Sequence, residues 1–105
     1  MKVKQFLHAN QFLIHDEKND VVYLQSYDST VAKIDMGRNT NVVSPYGYIK
    51  IITLGCDWDY SKTTSTHVFA FLEEYGNVSF SNVSNKRQYV NKLINEGVIY
   101  YDENL

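Results

Sequence analysis

Tyr48-Ile-Lys-Ile-Ile-Thr-Leu-Gly55 is the stretch at which this chain changes its period. The run before Gly55 is nearly continuous in apolar and β-branched residues and has the length of a strand, not of a buried helix. It predicts a central strand covered on both faces, or one covered by helices. Gly55 ends it. Upstream of this point apolar residues recur every second position, and downstream they recur at helical spacing.

Working back from Tyr48, Met36-Gly-Arg-Asn-Thr-Asn41 and Ser44-Pro-Tyr-Gly47 read as loops, so the single proline lies between elements. Thr30 to Met36 alternates, with Ala32, Ile34 and Met36 on one face and Val31, Lys33 and Asp35 on the other. Val21 to Tyr27 does the same, setting Val22 and Leu24 against Tyr23, Gln25 and Tyr27, and Asp28-Ser29 supplies a turn. Gln11-Phe-Leu-Ile-His15 is a further short strand, closed by the polar cluster Asp16–Asp20. Turns this short leave no room for crossover helices, so the strands form an antiparallel meander.

Working forward, Val68, Phe71, Leu72 and Tyr75 lie on one helical face, with Ser61 or Asp59 as N-cap and Gly76 as the stop. Val78–Ser81 is an extended link. Asn85 opens a second helix with Gln88 three residues on, and Tyr89, Val90, Leu93 and Ile94 form its apolar face. Gly97 stops that helix, Val98 is placed to pack back on Leu93, and Val98–Tyr101 ends the chain's regular structure. The order β-β-β-β-α-α-β predicts an α+β fold: an antiparallel sheet of four to five strands with two C-terminal helices packed on one face. Residues 1–105 read as one domain, the size that supports one modest core.

Composition narrows the function. Nine Tyr stand beside five Phe and one Trp, and an excess of rings with polar tips suits contact surfaces as well as half-buried strand faces. The net charge of −2 argues against broad attraction to nucleic acid or anionic membrane. Residues 1–50 carry six Lys/Arg against five Asp/Glu, but residues 51–105 carry four against seven, so the acidic excess is C-terminal. Cys56 is the only cysteine, which excludes an intrachain disulfide. The opening Met-Lys-Val-Lys-Gln-Phe-Leu-His lacks the apolar core of a signal peptide, and no window has the length of a transmembrane helix. The expected compartment is the cytoplasm.

No constellation points to catalysis. His15-Asp16-Glu17 resembles a metal or acid–base cluster, but neighbours on a strand point to opposite faces. His8 and His67 stand apart from it, and His67 shares a helical face with Phe71 as a boundary residue. Cys56-Asp-Trp-Asp59 is the most concentrated feature, yet two flanking carboxylates disfavour the thiolate a nucleophile needs. Two aspartates without further acidic neighbours make a weak cation site. The segment reads as a strand-to-helix loop in which Trp58 anchors the core and Asp59 caps the helix. There is no phosphate-binding glycine loop, dinucleotide fingerprint, nucleophile elbow or zinc spacing. No enzymatic activity, metal, cofactor or small-molecule substrate is expected. A small basic–aromatic set on the second helix, Lys86, Arg87, Tyr89 and Lys92, is the alternative: phosphate contacts from an accessory nucleic-acid-binding protein.

Asn10-Gln-Phe-Leu-Ile14, Gln25-Ser-Tyr-Asp-Ser-Thr30 and Thr53–Thr64, above all Asp57-Trp-Asp-Tyr-Ser61, carry a resemblance. From about Asn10 to Asp102 the chain is similar to small uncharacterised proteins carried by phages and plasmids of Gram-positive bacteria. It departs from them in a longer insertion around Arg38 to Tyr48. The resemblance implies a bacterial host cytoplasm and a protein that binds and obstructs host machinery, as anti-CRISPR inhibitors of Cas effectors such as Cas9 do. The implied partner is a host protein, a Cas effector or its guide-RNA complex, with no membrane involved. Obstruction needs aromatic anchors and carboxylates that meet a basic channel. The residues expected to serve are Tyr23, Tyr27, Asp57, Asp59, Glu73, Glu74, Asp102 and Glu103. A homodimer joined through an open sheet edge is a further expectation.

Overall fold

A computed structural model describes residues 2–6 and 8–105, apart from the side chains of residues 8 and 9. The fold is α+β. Six strands, β1 (Lys2–Phe6), β2 (His8–Asp16), β3 (Val21–Ser26), β4 (Ser29–Ser44), β5 (Gly47–Leu54) and β6 (Ile99–Tyr101), lie side by side in sequence order. Helices α1 (Lys62–Gly76) and α2 (Lys86–Asn95) form the connection from β5 to β6. The first five strands make the expected antiparallel meander.

Three features differ from the sequence reading. The sheet has six strands, because Lys2–Phe6 pairs with β2; Val3 and Gln5 alternate with two lysines there, and a short edge strand needs little apolar content. Strand β6 pairs with β5 in parallel, Ile52 opposite Ile99 and Leu54 opposite Tyr101, so the sheet is mixed. A crossover through helices returns the chain in the same direction, which is what a parallel neighbour requires. Lastly, the loop expected over Met36–Asn41 is absorbed into the long β4. Pairing with β5 breaks its register between Asp35 and Asn39 and again between Asn39 and Val43. The surplus residues form bulges, one held by Asp35 Oδ1 accepting from Gly37 N at 3.1 Å.

The alternation is respected on one face. Val22, Leu24, Ala32, Ile34, Ile52, Leu54 and Ile99 are buried with Val68, Phe71 and Leu72 of α1 and Val90 and Leu93 of α2. Helix α1 lies over β3, β4 and β5, and α2 over β6. Strand β5 is not covered on both faces: Ile51 and Thr53 line a shallow cleft with Val21, Tyr23, Lys33 and Asp35, all of them strand residues. A second set of contacts joins the helices. Trp58 meets Phe69 edge-on (6.2 Å), Phe69 meets Phe80 (5.5 Å), and Phe80 meets Tyr89 edge-on (5.9 Å). The link over 78–81 is thus an aromatic wedge between α1 and α2.

Caps follow local chemistry. Ser61 Oγ accepts from Thr64 N at 3.1 Å and Asn85 Oδ1 accepts from Gln88 N at 3.0 Å. Asp59, the other candidate cap, is not used as one. Helix α2 ends as expected, with Gly97 at φ 76° and Val98 N donating to Leu93 O. Helix α1 ends differently. Gly76 is its last residue, and the left-handed turn falls on Asn77 at φ 62°. Gly76 serves proximity: a Cβ there would lie 2.8 Å from Ile52 Cδ1 and 3.3 Å from Ile34 Cδ1. Asn77 then locks the helix end to the β4–β5 hairpin, donating from Nδ2 to Tyr48 O (3.0 Å) and accepting Ser44 Oγ on its carbonyl.

Asn77→Ala is expected to destabilise the fold by about 1–2 kcal/mol, because alanine lacks asparagine's tolerance of the left-handed backbone and also loses the bond to Tyr48. Asn77→Gly, which adopts this φ freely, should cost about half as much. Urea denaturation of both variants measures the difference.

Candidate interaction surface

The loop 55–61 leaves β5, crosses the end of the sheet and enters α1. Trp58 is buried and holds the loop down, which turns Cys56, Asp57, Asp59 and Tyr60 outward to varying degrees. Beside it the last residues close a turn: Asp102 N donates to Leu54 O (2.9 Å), Asp102 Oδ1 accepts from Asn104 N (2.9 Å), and Leu105 N donates to Asp102 O (3.1 Å). Leu105 packs over Gly55. Two segments more than forty positions apart in sequence are therefore one surface.

Tyr101 reports on that surface. Its phenol is held above the ordinary tyrosine range, first by partial desolvation and then by the nearby charges of Cys56, Glu103, Asp59 and Asp57. Among the described residues Arg87 offsets the carboxylates, with Nε 4.0 Å from Asp59 Oδ2 and Nη2 3.4 Å from Asp59 O. Around them stand exposed rings: Tyr60 at 82%, Tyr27 at 56% and Tyr101 at about half. Among the described residues no three His, Cys, Asp or Glu side chains converge closely enough to hold a metal ion. The carboxylates are spread over a surface, an arrangement that suits a broad cationic partner better than a point charge.

A small cleft of about 200 Å³ adjoins the patch, with Tyr27, Asp57 and Tyr60 at its rim. Ser26 and Thr64, which line it, belong to a largely buried polar chain. Gln11 Nε2 donates to Ser26 Oγ (2.8 Å), Ser26 Oγ lies 3.3 Å from Thr64 Oγ1, and Ser61 Oγ donates to Thr64 Oγ1 (3.1 Å). These bonds tie β2 and β3 to the first turn of α1 and so fix the rim. Tyr27 occupies the first loop position of the two-residue β3–β4 hairpin at φ 54°. Such positions usually carry glycine or asparagine, since a β-carbon there costs about 1–2 kcal/mol. A bulky ring in that conformation, exposed at the mouth of a cleft, places backbone strain at the surface.

The structure sorts the expected partner-facing residues. Asp57, Asp59, Asp102, Glu103 and Tyr27 come together. Glu73 and Glu74 do not: they lie in the last turns of α1, where Glu73 Oε2 accepts from Phe80 N (3.4 Å). At about 1.5 Å per residue they are more than 15 Å along the helix from its start. Tyr23 sits on the helix-free face of the sheet, away from the patch. Tyr60 and Tyr101 belong to the surface and were not among the expected residues, whereas Tyr100 shares the helix-free face with Tyr23; the Asp-Tyr-Ser and Tyr-Tyr-Asp contexts are the local signals for the two that join.

The basic set on α2 does not form one face. Arg87 is engaged by Asp59, Lys86 lies over the Phe80 ring at 5.6 Å, and Tyr89 is packed edge-on to Phe80. Lys92 borders a cleft with Asn82, Ser84, Gln88 and Tyr89, which neither Lys86 nor Arg87 lines. In the remaining histidine cluster, His15 Nε2 lies 3.1 Å from Asp20 Oδ1, and Asn19 Nδ2 donates to Asp16 Oδ2 (2.8 Å), holding the Asp16 carboxyl below the usual carboxylate range. Both are turn contacts between β2 and β3. His67 is buried, and the His8 side chain lies outside the described residues.

Two outcomes test this geometry. In a titration by difference against Tyr101→Phe, the Tyr101 phenol should ionise above the ordinary value of about 10. Asp57→Asn combined with Glu103→Gln should bring it down towards that value. Because the fold favours the neutral phenol, its contribution to stability is complete below about pH 10 and declines as pH rises through the elevated folded value. Separately, Tyr27→Gly should leave stability unchanged or raise it by up to about 1 kcal/mol, since glycine removes the left-handed strain; thermal denaturation shows which.

No curated protein matches the chain, and no solved structure does. No helix is long and apolar enough to cross a membrane among the described residues. Residues 1–91 match DUF8033, a family of unknown function, over a span that ends within α2, and the chain belongs to that family.

Proposed function

We propose that this protein acts without catalysis, by presenting the acidic, tyrosine-rich end of its sheet to a basic surface of a partner protein. The observation that carries the reading is the convergence of Asp57, Asp59 and Glu103 around Tyr101, with Tyr27 and Tyr60 exposed nearby. Carboxylates offer long-range attraction and partner choice, while aromatic rings supply contact area at low entropic cost. The resemblance to phage- and plasmid-borne proteins supports a host partner. A nucleic-acid channel of a defence nuclease such as Cas9, free or with its guide RNA, has the complementary charge, and occupying it would make this chain an inhibitor acting inside the bacterial host.

The test is titration of the chain against purified Cas9, with and without guide RNA, together with affinity capture from a host lysate. A specific complex is expected, weakened at least 10-fold by reversing Asp57, Asp102 and Glu103 to lysine and weakened further by added salt. Reversing Glu73 and Glu74 should change it by less than 3-fold, because those residues lie off the patch. Tyr60→Ala should weaken it mainly through faster dissociation. Recovery of no defence protein removes the inhibitor form of the proposal. A shift of labelled DNA or RNA at low salt that depends on Lys86 and Lys92, with no protein complex, replaces it with nucleic-acid binding.

A further inference from the structure

The sheet has a second surface that the acidic patch does not use. Reading register across all six strands, Val3, Ile14, Tyr23, Lys33, Thr53 and Tyr100 form one continuous row. A neighbouring row contains Asp16, Val21, Asp35 and Ile51. Both rows point away from the helices, and the cleft on this face is lined by strand residues alone. Val3 is 64% exposed and Tyr100 is 52% exposed, while Ile14, Val21, Tyr23 and Ile51 are shielded only by their neighbours in the sheet. Lys33 is half-buried at the centre, yet among the described residues it makes no ion pair.

We propose that this face is covered by a second copy of the same chain, forming a two-fold dimer with the two sheets face to face. The charges select the occupant. Lys33 and Arg38 balance Asp16 and Asp35, so the face is suited neither to a polyanion nor to a strongly charged protein. It is suited to itself in one orientation. A two-fold axis lying in the interface, perpendicular to β4 and level with Ile34, reverses the strand direction and keeps β4 over β4. Lys33 then stands opposite the partner's Asp35, Tyr23 opposite the partner's Val21, and Thr53 opposite the partner's Ile51. An axis along β4 would instead set Lys33 on Lys33 and Asp35 on Asp35, and like charges reject it. The isologous pairing follows from β4 carrying opposite charges two residues apart on one face.

Size is consistent with a reversible dimer. Five strand spacings of about 4.8 Å make the face about 24 Å wide, and three outward positions per strand give a length of about 20 Å. The surface covered per copy is of order 500–800 Å², the lower end for specific interfaces. Pairing through sheet edges is the weaker route. The β1 edge carries Lys2 and Lys4, and β6 is only three residues long, both of which blunt an edge against strand addition. The dimer leaves Asp57, Asp59, Tyr60 and Glu103 at the end of the sheet, so it is independent of the proposed partner.

Sedimentation velocity of the full chain over a concentration series tests the proposal without any partner. A concentration-dependent species of twice the chain mass is expected. Lys33→Asp alone and Asp35→Lys alone should each weaken dimerisation at least 10-fold. Mixing those two variants should restore a heterodimer, since each supplies the charge the other lacks. Circular dichroism checks that the variants fold, and Thr53→Arg, facing the partner's Ile51, gives a second independent loss. A chain that stays monomeric at every concentration overturns the proposal. So does a dimer that both single charge variants leave intact, because it must then use another surface.

Discussion

The short parallel ladder between β5 and β6 is the constraint on which the rest of the molecule depends. Three residues of β6 meet Ile52, Thr53 and Leu54, and the ladder is extended by Asp102 N on Leu54 O. So few bonds hold only because Ile99 is buried under the helices. Once they form, the polypeptide leaving β5 and the polypeptide ending β6 emerge side by side at one end of the sheet. The Cys56–Tyr60 loop and the Asp102–Leu105 turn have no other place to go. The acidic surface is thus a consequence of strand direction: an antiparallel β6 would have delivered Asp102 and Glu103 to the opposite end.

Helix packing makes that ladder possible. Helix α1 approaches the sheet closely enough that position 76 has no room for a β-carbon, and Asn77 bonds the helix end to the β4–β5 hairpin. The sequence Trp58, Phe69, Phe80, Tyr89 then runs as a line of ring contacts from the entry loop through α1 to α2. Edge-on and tilted contacts of this kind add modestly to the burial of the rings themselves. Their larger effect is positional, since they set α2 over β6. All of this lies on one side of the sheet. The other side keeps half-shielded Ile, Val and Tyr around Lys33, which makes no ion pair among the described residues.

Charge is redistributed by the fold in a way that net charge conceals. Overall the chain is close to neutral. Arg87 is drawn to Asp59 and Lys86 to the Phe80 ring, so two of the three cations of α2 are engaged within the chain. The carboxylates of the entry loop and tail are gathered with little compensation, and Tyr101 among them resists ionisation. An exposed pair such as Arg87–Asp59 contributes little to stability. Its consequence is that the basic set loses a member and the acidic surface keeps its sign.

Much of the fold was determined by sequence alone, because period and caps are local properties. The alternation in Val21–Ser26 placed Val22 and Leu24 in the core, and Ser61, Asn85 and Gly97 marked helix ends by side-chain and backbone chemistry that acts over a few residues. The α+β order followed from the change of period at Gly55. Tertiary structure decided what depends on distant partners. Met36–Asn41 looks like a loop in isolation, yet the β5 backbone draws it into a bulged strand. Gly76 looks like a left-handed stop, whereas its role is set by Ile34 and Ile52. Asp57, Asp59, Asp102 and Glu103 were legible as an acidic excess, but Glu73 and Glu74 were equally so. Only the parallel return of β6 separates the four that share a surface from the two that do not, since electrostatic neighbourhood is a property of space and not of spacing along the chain.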